Sequence, residues 1–218
     1  QLQDLKAQAF PGLQWVVVDD LWDRREFTLT ADFEIVHCPP LHGVVGSFAP
    51  AHAANTALVY AKGELVYWMN DYVRLMPGVL KRHWDLYQRY GPQVIIMGQM
   101  IPRDGQMPFP ARRGDHVLGD FVEESVSGVA CGQYSTGRND SAPLAELLAV
   151  NGQDETFDGD RGGNDVDLAQ RLMRHGCRVL IDLLVPCFEY AHHADSNPKY
   201  TWEKALPKQG YWKSVMRG

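Results

Sequence analysis

Little in this sequence marks a membrane protein, a metal ribbon or a nucleic-acid binder. No apolar run approaches the ~20 residues needed to cross a bilayer. The opening stretch QLQDLKAQAF lacks the organisation of a secretory leader. It also lacks an initiating Met, so the expectation is an excised or processed piece. Cysteine is scarce: Cys38, Cys131, Cys177 and Cys187 lie far apart and form no CxxC pair. They read as buried free thiols in a reducing, cytoplasmic setting rather than as disulfides or zinc ligands. A basic surplus is missing as well. Lys and Arg number 21 against 27 Asp and Glu, a net charge of -6, which argues against a non-specific nucleic-acid binder. A nucleotide ligand stays open, because a pocket needs only local donors or a metal. There is no internal repeat, no low-complexity tract and no Gly-rich phosphate loop after the first strand.

What is present suits one globular domain of 218 residues, 45% hydrophobic and 22% charged. QLQDLKAQAF reads as a short helix with Leu2, Leu5 and Phe10 on its apolar side. LQWVVVDD is a valine-rich run ending in two acids, the pattern of a buried parallel strand with functional groups at its carboxyl end. FEIVHC follows as a second strand, stopped by Pro39-Pro40. AHAANTALVYAKG reads as a helix stopped by Gly63, ELVYWMND as a strand, PGVLKRHWDLYQRYG as a helix between Pro77 and Gly91, and QVIIMGQMI as a strand. Residues 102–140 break this rhythm and read as an irregular insertion with a hairpin near DHVLGDFVEESVSGVACG. A helix from SAPLAELLAVNG, a helix after Gly163, and strands at CRVLID and VPCFEYAHH complete the chain. The alternation indicates an α/β fold with a mostly parallel sheet, whose ligands sit at the carboxyl ends of strands.

Three polar clusters fall at strand ends or helix starts: Asp19 with Asp20, Asn70 with Asp71, and Asp165 with Asp167. Each alone fits ordinary capping. Together on one rim they would repel unless a cation joined them, and hard carboxylate oxygens suit Mg2+ or Mn2+. His192 and His193 follow the last strand, and adjacent strand residues point to opposite faces, so one of the two is a candidate further ligand. In DGDRGGNDVDLAQRLMRHG, Asn164 is a candidate N-cap, and Asp165 lies in the first turn. There it either supports the helix start or serves as a general base.

Taken together, three segments resemble family 2 glycosyltransferases, inverting nucleotide-sugar enzymes with a GT-A fold. LKAQAFPGLQWVVVDD is similar to the family's first helix and second strand. AANTALVYAKGELVYWMNDYVRLMPGVL and VNGQDETFDGDRGGNDVDLAQRLMRHGCRV are similar to its longer and more specific motifs. The resemblance implies a nucleotide-binding half at 1–100, an acceptor-side half at 101–198 and a helical tail at 199–218, within a single domain. It implies that Asp19 and Asp20 read the nucleoside, with Asn55, Asn70 and Asp71 also on the donor side. It makes Asp165 the catalytic base, Asp160, Arg161, Asn164 and Asp167 the acceptor side, and Asp71 with His192 or His193 the ligands of Mn2+ or Mg2+. The implied reaction moves a sugar from a nucleotide-diphosphate donor, a UDP-sugar foremost, to a glycan or lipid-linked acceptor by single displacement.

The departures are specific. Tyr72 stands where the family has a second metal-binding Asp, Asn164 replaces a Glu, Ala54 an Arg and Gln153 a Phe. No counterpart of the family's first strand precedes residue 1, so the expectation is a shortened chain or a strand supplied by a partner. These departures frame the alternative, a non-catalytic nucleotide- or glycan-binding member of the same fold. Trp202, Tyr211 and Trp212 read as packing for a C-terminal helix. The basic, aromatic composition there allows peripheral contact with a membrane carrying the acceptor.

Overall fold

The computed structural model describes residues 1–24, 26–41, 49–70, 72–101, 122–125, 137–159 and 163–189. Among these residues five α-helices and eight strands follow in the order α1 (Leu2–Ala7), β1 (Gln14–Val18), β2 (Glu34–Cys38), α2 (Pro50–Tyr60), β3 (Leu65–Trp68), β4 (Val73–Leu75), α3 (Val79–Tyr90), β5 (Val94–Ile101), β6 (Val122–Ser125), β7 (Asp140–Pro143), α4 (Leu144–Ala149), α5 (Asn164–Arg174) and β8 (Arg178–Glu189). Among the described residues β1 and β2 pair in parallel as a sheet of their own. The larger sheet runs β3-β7-β5-β8-β4, with β6 also paired to β8.

The larger sheet is more mixed than the alternation of elements predicts. β5 and β8 pair in parallel, while β3/β7, β5/β7, β4/β8 and β6/β8 are antiparallel. The main cause is β7. Residues 141–143, expected to begin a helix, instead extend a strand inserted between β3 and β5, and the helix starts only at Leu144. Pro143 bounds this strand and sits at the cap position of α4, where it lacks the N–H a helix interior needs. The expected strands at 177–182 and 185–193 are, over the described residues, one continuous β8, and β4 occupies residues left unassigned between an expected strand and helix. Helix α2 ends at Tyr60, ahead of Gly63.

The buried faces follow the expected periodicities. α5 turns Leu168, Ala169 and Leu172 inward at helical spacing, against Ile95, Met97, Val179 and Ile181 of the sheet. On the other side, Leu86 of α3 packs with Val94, Ile96 and Leu180. Alternate residues of β5 thus serve opposite layers, as the two-residue period of a strand requires. A third cluster joins α1 to β4 through Leu5, Val73, Leu75 and Val79. There the buried Asp4 accepts a bidentate pair of bonds from Arg74, Nε to Oδ2 and Nη2 to Oδ1, both at 2.7 Å. Cys38, Cys177 and Cys187 are buried free thiols, as expected, and burial pushes both Cys177 and Cys187 up to about 12.

One close approach fixes how β7 enters the sheet. The Gly98 N–H donates to the Asn139 carbonyl at 2.7 Å, and Tyr67 Oη donates to the Asn139 side-chain oxygen at 2.7 Å. A Cβ on Gly98 would overlap the Asn139 amide. Because that amide is held from the other side, it cannot swing away. Gly98→Ala is therefore expected to cost about 1–3 kcal/mol, the usual penalty for overpacking a core. Urea unfolding checks this, and an alanine variant as stable as the parent would show that Asn139 yields freely.

Candidate functional site

The end of β3 and the start of β7 lie side by side. Their last paired residues are Trp68 and Asp140, and the chains continue into Met69–Asn70 on one side and Asn139–Arg138 on the other. The N-terminus of α5 closes against this point. A Cβ built on Gly137 would stand 3.5 Å from that of Asp165. A small recess of about 20 Å³ opens here, lined by Trp68, Asp140, Gln153 and Asp165 among others. It holds about one water molecule.

Asp165 sits in the first turn of α5 and is half-buried. Burial raises its pKa above the usual 3.8, against the opposing pull of the Val166 N–H at 2.9 Å and of the Arg138 charge. A carboxylate with a raised pKa is a stronger base than a solvated one. The helix start differs from expectation. Gly163, with φ of +99°, is the cap, because its carbonyl accepts the first helical bond from Asp167 N. Asn164 is instead the first helical residue, and its amide donates to the Gln153 side-chain oxygen at 2.7 Å. A glycine tolerates this left-handed turn where Asn164 would be strained.

Asn70 donates to Tyr72 Oη at 2.8 Å, and the Arg138 guanidinium lies over the Tyr72 ring, 5.3 Å from its centroid. Asn70 and Tyr72 thus meet Asp165 across the segment 137–138. Arg138 is a site residue that sequence reading missed, because it lies inside the stretch read as irregular insertion and belongs to no quoted motif.

The other described residues of the expected site lie in β1, α2 and α5 or next to them. Asp19 is buried at the end of β1, where its carboxylate accepts from Leu21 N at 2.9 Å and meets His37 Nε2 at 3.1 Å. His37 in turn stacks on Phe27 with centroids 3.9 Å apart. Asp20 beside it is exposed. Asn55 faces the segment after α4 rather than an open cleft. Its amide donates to Gln153 O at 2.8 Å and Glu155 Oε1 at 2.9 Å, and its oxygen accepts from Gln153 N at 2.7 Å. Asp167 pairs with Arg171 at 2.7 Å, and Arg171 donates to the Val150 and Gly152 carbonyls, so this pair braces α5 against the same segment. Among the described residues no three acidic, His or Cys side chains are placed to hold a metal. Asp71, Asp160, Arg161, His192 and His193 lie outside the described residues, as do the tail 199–218 and most of 102–136.

A second residue unassigned from sequence closes the arrangement. The Asp158 carboxylate accepts from Ala51 N and His52 N, both at 2.9 Å, and so satisfies two N–H groups at the start of α2. The favourable field of a helix N-terminus adds to these charge-assisted bonds. With Asn55 and the contact between His52 and Glu155 at 3.5 Å, the segment 153–158 is tied along α2. Asp158→Ala is expected to cost about 0.5–2 kcal/mol, the range of a lost helix cap. Chemical denaturation reads it, and a neutral result would mean that water replaces the carboxylate without loss.

The raised pKa of Asp165 also carries a sign. Between its unfolded and folded values the folded chain binds more protons, so stability falls as pH rises through that window and stays lowered above it. Asp165→Asn removes this cost. The variant is expected to melt above the parent at pH 7, with the gap closing as pH drops toward 3.8. A variant less stable at pH 7, by a margin unchanged at acid pH, contradicts this.

No protein-family model matches the chain, and no curated protein matches it. Solved structures do. S. aureus TarS 1-349 is 16% identical with a TM-score of 0.61, over 86% of this chain and 55% of that one. The same protein in complex with UDP-GlcNAc is 15% identical with a TM-score of 0.62, over 92% and 56%. GalNAc-T7 with UDP, GalNAc and Mn2+ is 8% identical with a TM-score of 0.52, over 73% and 32%. The chain spans about half the length of TarS 1-349. At these identities the likeness is one of fold, and that fold is the GT-A fold of nucleotide-sugar glycosyltransferases. No helix among the described residues is long and apolar enough to cross a membrane.

Proposed function

We propose that this chain is an inverting glycosyltransferase of the family 2 type, moving a sugar from a UDP-sugar to an acceptor hydroxyl. The observation that carries the reading is the placement of Asp165. It is a carboxylate of raised pKa, fixed at a helix start beside the end of β3, in a fold whose neighbours include TarS with UDP-GlcNAc. Asp165 takes the proton of the acceptor hydroxyl as that oxygen attacks the anomeric carbon. The bond from that carbon to the diphosphate oxygen breaks on the opposite face, and its electron pair leaves with the nucleoside diphosphate. Asp20, exposed at the end of β1, faces the nucleoside, and Asn70 with Asp71 forms the donor side. The loop carrying Asp160 and Arg161 borders a glycan or lipid-linked acceptor. Asn164 and Asp167 act at one remove, by fixing α5 through Gln153 and Arg171.

The fold's precedent for a divalent cation is GalNAc-T7, which carries Mn2+ with UDP. The expected ligands Asp71, His192 and His193 lie outside the described residues, and among the described ones no three acidic, His or Cys side chains are placed to hold such an ion. The residue after Asp71 is a tyrosine, its oxygen bonded to Asn70 and its ring covered by a guanidinium, so a fixed positive charge stands beside the segment where a second cation would bind.

General-base assistance is worth about 100- to 10,000-fold. Asp165→Asn is accordingly expected to slow transfer from UDP-GlcNAc by that factor while UDP binding, read by calorimetry, stays within a few-fold. Transfer near the parent rate by a folded asparagine variant would remove Asp165 from the chemistry.

A further inference from the structure

We propose that Arg138 is the cation that receives the donor's diphosphate, in place of a divalent metal ion. The inference rests on the glycosyltransferase reading above and names how that site holds its leaving group.

Position comes first. Arg138 follows Gly137, which adjoins Asp165, and it lies just beyond the last β3/β7 pair, where the chain opposite is Asn70 and its neighbours. It therefore stands between the group that would take the proton and the segment that would meet the donor. Leaving group and base lie on opposite sides of a displaced carbon, so a cation between their two segments can act on the departing charge.

Geometry comes second. Tyr72 is anchored through the Asn70 amide, and the Arg138 guanidinium lies over the Tyr72 ring with its central carbon 5.3 Å from the centroid. A guanidinium carries five N–H donors in one plane, more than a single partner occupies. That planar fork matches the oxygens of a phosphate group better than a flexible ammonium does. Tyr72 also replaces a carboxylate at the position where the resembled family places its second acidic residue. The exchange removes a metal ligand and installs the ring under the guanidinium in one step. A metal ion and Arg138 would repel each other there, while either alone offsets negative charge.

Chemistry comes third. As the bond between the anomeric carbon and the β-phosphate oxygen breaks, two electrons move onto the diphosphate. A fixed positive group aimed at that oxygen stabilises the transition state more than the ground state. Arg138 also keeps the Asp165 carboxylate from rising further in pKa, since its charge favours the ionised form. One side chain thereby serves both ends of the displacement.

Calorimetric titration of the full chain with UDP and with UMP, in EDTA and again with Mn2+, tests this. UDP is expected to bind in EDTA, with little gain from Mn2+. R138Q is expected to weaken UDP about 10- to 100-fold, the loss of a charged hydrogen-bonding partner, while UMP, lacking the β-phosphate, changes far less. Circular dichroism checks that the variant is folded. If it is not, R138K decides: weaker UDP with unchanged UMP supports the assignment, and unchanged UDP overturns it. UDP binding that requires Mn2+, or equal losses for UDP and UMP in R138Q, also overturns it while leaving the glycosyltransferase reading intact. A folded parent that binds neither nucleotide under either condition removes that reading, and this inference with it.

Discussion

The fixed point of this structure is the seat of Asn139 between β3 and β5. Its carbonyl takes the Gly98 N–H and its side-chain oxygen takes the Tyr67 hydroxyl, both at 2.7 Å, in a space that only a glycine leaves open. Buried polar groups are costly unless paired, so these bonds hold β7 in one register. From that register the rest of the site follows. Residues 137 and 138 emerge at the end of β3, Arg138 reaches Tyr72, and Gly137 leaves room for the start of α5. Nearby His83, buried against Ser141 at 2.7 Å and lowered by burial to about 4, stays neutral and belongs to the same interior polar layer.

A second constraint acts on the other side of Asp165. The segment 151–158 is sewn to α2 by Asn55 and Asp158 and to α5 by Asn164 and Arg171. Two helices far apart in sequence are thus held by one short stretch of backbone. The carboxylates in this stretch are structural where they face N–H groups and chemical where they face an opening. Asp158 and Asp165 lie seven positions apart in the same acidic, glycine-rich run, yet only their surroundings assign them to different tasks. Asp158 is spent on two backbone donors, while Asp165 keeps an opening beside it and a pKa set mainly by burial.

The helices and most strands were legible because their causes are local. Apolar spacing along α5 and the valine run of β1 each act within a few residues, as do Pro77 and Gly91 around α3. The position of Asp165 in a first helical turn was legible for the same reason. The strand β7 was not, because DSAP has no strand pattern of its own and is extended only by bonds to β3 and β5. The cap of α5 was misplaced by one residue, since Asn164 is a good capping type but its amide is engaged by Gln153, eleven positions earlier.

The sequence by itself determined which segments are helices, where acids end strands, and which motif carries Asp165. Those features depend on side-chain type and spacing along a single stretch. Tertiary structure alone decided that Asn55 and Asp158 brace a loop, that Asp19 is occupied by His37, and that Arg138 stands over Tyr72 beside Asp165. Each of these depends on a partner brought close by strand order and helix packing, and no local pattern encodes the far side of such a pair.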